Sequence, residues 1–162
     1  MNNIKNIFSL IRVYNIILSG IAVLIAAYLL DSFLLYKTLE ISIIVMSTMA
    51  LGNIMNDFLD IESDKINHPN RVLANNKITA NDVMILFVLI VIILLYFSIY
   101  ISFKGLLFLY LLIIPLLCSY NLYFKKLPVI GNLIVSLLLG SIFLFTELVI
   151  LDSLNSLLVP FF

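Results

Sequence analysis

The sequence predicts an all-α protein, a polytopic bundle of about five transmembrane helices with its N-terminus in the cytoplasm. Three observations carry that expectation. Of 162 residues, 64% are hydrophobic and 11% charged, where soluble domains carry roughly a quarter charged residues, and mean hydropathy is +1.21. Five stretches approach the ~20 apolar residues that a spanning helix needs. The segments joining them carry basic residues unevenly, as membrane topology requires.

The stretches run over residues 13–30, 41–55, 83–103, 105–124 and 127–146. The first follows Lys5 and Arg12 and has the look of a signal peptide, but four further spans favour an uncleaved first helix. The second is short, and its helix has room to continue through Asp57 toward the interface. Pro115 lies inside the fourth and predicts a local kink, not a break, because neighbouring helices re-satisfy the freed carbonyl. The tail SLNSLLVPFF after Asp152 is too short to span. Gly20, Gly131 and Gly140 read as positions of close helix packing, and the lone cysteine, Cys118, as a small buried hydrophobe. Residues 1–162 are expected to form a single membrane domain.

With a cytoplasmic N-terminus, Lys5, Arg12, Lys65, Arg71, Lys77, Lys125 and Lys126 lie inside and only Lys37 and Lys104 outside, seven of the nine basic residues against two. The loop over 56–82 and the turn at Lys125 then face the cytoplasm. Basic and acidic residues balance at nine each, which gives no case for nucleic acid as a partner.

The stretch NDFLDIESD, residues 56–64, places carboxylates at the end of an apolar segment. Asn53, Asp57, Asp60 and Asp64 are spaced by four, three and four residues, which aligns them on one helical face with Asn56 beside it. Three carboxylates so aligned repel one another and call for a cation. Oxygen-only donors suit Mg²⁺, which takes one or two carboxylates, waters and substrate phosphate oxygens; His68 and Cys118 give no zinc set. Solvated residues capping a span at the interface are the simpler alternative. The following loop, KINHPNRVLANNKIT, adds Arg71, whose planar fork suits phosphate, beside the point charges Lys65 and Lys77. Asn15 and Asn132, in or near spans, are costly to bury alone and read as pocket residues or helix contacts.

These residues resemble the UbiA superfamily of membrane prenyltransferases. Its first aspartate motif, N-D-x-x-D-x-x-x-D, stands here as Asn56, Asp57, Asp60 and Asp64. Pro69 and Arg71 match the P-x-R of its next motif, although Val72 and Asn76 depart from the rest. Arg12 and Asn15 resemble the opening of the family's first helix, and Tyr120, Lys125, Gly131 and Asn132 its fourth and fifth. Within the family the likeness is greatest to the archaeal digeranylgeranylglyceryl phosphate synthase branch. The resemblance implies Mg²⁺-dependent transfer of a prenyl group from a prenyl diphosphate to a lipid or aromatic acceptor in the cell membrane. Asp57, Asp60 and Asp64 would hold the metal, and Asn56, Arg71 and Lys125 the diphosphate. Arg12, Asn15, Asn53, Tyr120 and Asn132 would face the substrate pocket.

Family members usually carry about nine helices and a second aspartate motif. Here the later acids, Glu147 and Asp152, do not form it, so the likeness covers the family's N-terminal half. A split enzyme completed by a separately encoded C-terminal half, and a non-catalytic remnant that binds diphosphate lipid, both stay open. An ion or solute transporter fits less well, because the acidic face lies at the membrane edge.

Overall fold

The computed structural model describes residues 2–154, and every regular element among them is helical. Helix α1 (Asn2–Ile11) meets α2 (Val13–Leu29) at a 55° bend, and the pair together is long and apolar enough for one broken span or a re-entrant loop. Helices α3 (Leu35–Leu59), α5 (Ala80–Ser98) and α8 (Pro128–Leu151) are each long and apolar enough to cross a membrane. So is the continuous helix over Phe103–Leu122, formed by α6 (Phe103–Leu107), a π-helical stretch (Phe108–Ile113) and α7 (Ile114–Leu122). The chain is therefore a multi-pass helical membrane bundle of four spans, or five with the bent pair. Short α4 (Ile61–Asn67) follows α3. The tail from residue 155 lies outside the described residues.

Helix α3 is the central post, packing on α1, α2, α5, α7 and α8. It extends past residues 41–55 at both ends, over Lys37, Thr38 and Glu40 before them and Asn56 and Asp57 after, polar residues that end the apolar run but not the helix. Thr38, Ser42, Ser47, Thr48 and Asn53 lower the local hydropathy but are buried in the bundle. Ser42 Oγ and Thr48 Oγ1 donate to the carbonyls of Thr38 and Ile44, one turn back, so their hydroxyls are satisfied within the helix.

The remaining elements follow local chemistry. Thr79 caps α5, its Oγ1 accepting the Asp82 N–H, and Val83, Ile90 and Leu94 make that helix's buried stripe against the core. Pro128 opens α8 at a position where a missing N–H costs nothing. Pro115 does not break its helix; the turn before it widens into the π stretch, which relieves the clash a proline imposes on the preceding turn.

Helices approach closely at glycines. A Cβ on Gly52 would stand 2.9 Å from Leu117 Cδ1, one on Gly131 2.9 Å from the Phe124 carbonyl, and one on Gly20 3.0 Å from Met46 Sδ. Gly140 corrects the sequence expectation: a Cβ there meets nothing within 4 Å, so no helix packs closely on it.

Candidate active site

The carboxylates of the NDFLDIESD stretch do not lie along one unbroken helix. α3 ends at Leu59, Asp60 takes a non-helical backbone (φ −99°, ψ 5°), and α4 starts at Ile61. The interruption separates Asp60 from its two neighbours, and each carboxylate meets a cation of the chain itself. Asp57 Oδ1 accepts from Arg12 Nη2 at 2.6 Å. Asp64 Oδ2 accepts from Arg71 Nη1 at 2.6 Å, and the same nitrogen lies 3.6 Å from Asp57, so Arg71 draws those two carboxylates together. Asp60 accepts from Lys125 Nζ at 2.6 Å across 65 residues of chain. Three negative and three positive side chains form a neutral cluster, which relieves the repulsion that the spacing implies. Asp57 and Asp64 are buried, a placement that costs much less with a partner than without.

Local structure positions these cations. Arg12 sits in the left-handed region (φ 55°), where it turns the chain from α1 into α2 and aims its guanidinium at Asp57. Asn53 secures the same break, its Nδ2 donating to the Ile11 carbonyl at 2.8 Å. Arg71 rides on a loop anchored by buried Val72 and Leu73. Asn6 ties α1 to that loop through the Lys77 carbonyl at 3.2 Å.

Two cavities meet here. A polar one of about 500 Å³ is lined by Asp60, Asp64, His68, Arg71, Lys125 and Lys126. A deeper one of about 590 Å³ lies among α2, α3, α7 and α8, with mostly apolar walls. Asn56 lines both, so it stands where charge gives way to hydrocarbon. The deep cavity is within the range typical of small-molecule sites.

Arg12, Asn15, Asn53 and Tyr120 all line the deep cavity. Asn132 does not; it is exposed on α8 and lines neither space. Asp152 pairs with Lys104 at 2.9 Å at the far end of α8, some 24 residues or about 36 Å of helix from the cluster. Sequence reasoning passed over Asn121. Its side chain is 2% exposed on the deep cavity's wall, with Nδ2 donating to the Leu117 carbonyl and no partner for Oδ1. An amide near the end of an apolar span was the available signal.

As donors, the carboxylates offer the oxygen atoms that Mg²⁺ accepts. Among the described residues, no three His, Cys, Asp or Glu side chains converge on one point. The donor set thus fits the ion chemically, while the cations Arg12, Arg71 and Lys125 occupy the carboxylates in this conformation.

Together these features define a class: a multi-pass membrane protein that sets a polar pocket of paired carboxylates and cations beside an apolar slot. Residues 13–162 match the UbiA prenyltransferase family, and the chain belongs to that family. It is 35% identical over 104 residues to the digeranylgeranylglyceryl phosphate synthase of Methanocaldococcus jannaschii, covering 63% of this chain and 37% of that protein. The synthase of Methanococcus aeolicus is 38% identical over 92 residues, covering 55% and 33%. A solved structure concerned with digeranylgeranylglyceryl phosphate synthase in membranes superposes with a TM-score of 0.83 at 32% identity, covering 92% of this chain and 54% of the other. The matched region is thus about a third of the curated relatives and about half of the solved chain.

Proposed function

We propose that this chain takes part in transferring a prenyl group from a prenyl diphosphate to a lipid hydroxyl in archaeal ether-lipid synthesis. The single observation that carries the reading is the junction at Asn56, where a pocket bearing Arg71 and Lys125 adjoins a deep apolar slot. That pairing suits a molecule with an anionic head and a hydrocarbon tail. The names of the relatives give digeranylgeranylglyceryl phosphate as what is synthesised, which favours a glyceryl phosphate acceptor carrying one prenyl chain and one free hydroxyl over an aromatic one.

In this reading Arg71 and Lys125 exchange their carboxylate partners for diphosphate oxygens, Arg71 through its planar fork and Lys125 as a point charge. Asp60 and Asp64, thereby released, together with Asp57, which keeps its bond to Arg12, are the residues that would hold Mg²⁺, with Asn56 beside them. When bound, the ion supplies neutralisation of the charge that builds on the departing diphosphate. The apolar walls of the slot keep water from the allylic carbon, so that the acceptor hydroxyl and not water attacks it. The seven-to-two distribution of basic residues supports a cytoplasmic placement of this pocket. Because the chain covers 54% of the solved relative, the remainder of a complete site would come from further protein, in the same chain or a separately encoded one.

The test is a transfer assay in membranes with a radiolabelled prenyl diphosphate, with and without Mg²⁺, alongside a direct binding measurement. Product that disappears in Asp60→Asn and on chelation supports the reading. Binding without turnover, even with a C-terminal half supplied, would identify a diphosphate-lipid binder instead. Absence of both would overturn the reading.

A further inference from the structure

The far end of the deep cavity has a definite wall. Beyond Phe145 the bundle is shut: α6 lies so close to α8 that a Cβ on Gly105 would stand 2.7 Å from Val149 Cγ2, and Lys104 Nζ holds the Asp152 carbonyl at 2.7 Å. Past Ala22, the last lining residue along α2, buried Ala26 and the capping Leu30 pack with Phe143 and Ile150 of α8 and close the gap between those helices. Phe145 is 3% exposed and stacks on Phe108, with ring centroids 6.4 Å apart and 16° between planes. It lines the cavity while Phe108 backs it, so the pair forms a braced end wall, with Ala22 contributing from α2.

The side walls give the depth. Along α3 the lining runs from Asn56 to Val45, eleven residues or roughly 16 Å of helix. Along α7 and the π stretch it runs from Asn121 to Leu109, twelve residues or roughly 18 Å at helical rise. An extended covalent chain advances roughly 1.2 Å per bond, so one four-bond isoprene unit takes about 5 Å. The slot accommodates about three to four such units.

We infer that Phe145, braced by Phe108 and with Ala22 the last lining residue along α2, sets the length of prenyl chain this protein accepts, at fifteen to twenty carbons. The inference rests on the proposed prenyl-diphosphate reading and adds the residue that selects among its substrates. A tail longer than the slot must displace the braced ring, whereas a shorter one leaves apolar wall uncovered, and both weaken binding.

The experiment compares binding of diphosphates carrying ten, fifteen, twenty and twenty-five carbons to purified protein in nanodiscs, by calorimetry with Mg²⁺. Phe145→Ala is expected to shift the ratio of affinities toward the twenty-five-carbon chain by about tenfold or more. Ala22→Phe, which fills the same end, is expected to shift it toward ten carbons by a similar factor. Unchanged length preference in folded Phe145→Ala and Ala22→Phe, with wild type still binding, would overturn the inference alone. Should Phe145→Ala fail to fold, Ala22→Phe decides the matter by itself. Wild type that binds no chain of the series would instead remove the functional reading beneath it.

Discussion

Helices α3 and α5 lie side by side and both cross the bundle, yet they distribute polarity in opposite ways. α5 carries almost no polar residues between its ends and turns most of its surface outward, with Leu89 and Ile92 among many exposed apolar side chains. α3 carries Ser, Thr, Asn and Asp along its length and buries most of them. A membrane-spanning helix at the centre of a bundle is thus the less hydrophobic one, because polar groups such as those of Ser42, Thr48 and Asn53 find partners inside while a lipid-facing surface has none to offer.

That contrast breaks most severely at Asp57. Asp57→Ala leaves Arg12 without its 2.6 Å partner and removes one of two carboxylates near Arg71, both cations being about one-third exposed. A loss of about 2–3 kcal/mol is expected, less than for a fully buried pair because water reaches the guanidiniums. Thermal or denaturant unfolding in detergent would measure it, and a loss under 0.5 kcal/mol would argue against an energetic role for the cluster. Gly52→Val probes the packing on the same helix: with Leu117 Cδ1 at 2.9 Å from an added Cβ, about 1–3 kcal/mol of overpacking is expected. The same assay reads it, and a neutral result would mean that α7 can retreat.

On α5 the expected effects shrink. Thr79→Ala removes the cap bonded to the Asp82 N–H and should cost about 1 kcal/mol, visible as faster amide exchange in the first turn. Leu89→Ala, at a side chain 52% exposed, should move stability by less than about 0.5 kcal/mol. If Leu89→Ala matched Gly52→Val in cost, the outer face of α5 would have to be a packed surface, and the contrast would fail.

The same contrast explains how far the sequence could be read. Apolar length located the spans, since lipid imposes it on each helix separately. The second span was underestimated at its start because Lys37 and Glu40 interrupt the apolar run and Thr38, buried in the bundle, resembles a surface residue until its neighbours are known. At the site, the spacing of Asp57, Asp60 and Asp64 was legible, whereas their partners were not: Arg12 lies 45 residues away and Lys125 65 residues from the carboxylates they meet. Such pairings depend on how helices assemble. Likewise, no local signal marked the left-handed turn at Arg12, a conformation most side chains avoid.

The π-helical turn over Phe108–Ile113 has a consequence for the deep cavity. Leu109, Ile113, Leu117 and Asn121 all line it at intervals of four, although a regular α-helix of 3.6 residues per turn would carry that series steadily around its axis. The wider turn takes up one surplus residue and cancels part of that rotation, so upper and lower halves of the wall keep a common phase. Removing a single residue within the wide turn should therefore heal the ladder and leave Asn121 in place. The same deletion in the regular turns above it would swing Tyr120 and Asn121 by about 100° away from the cavity.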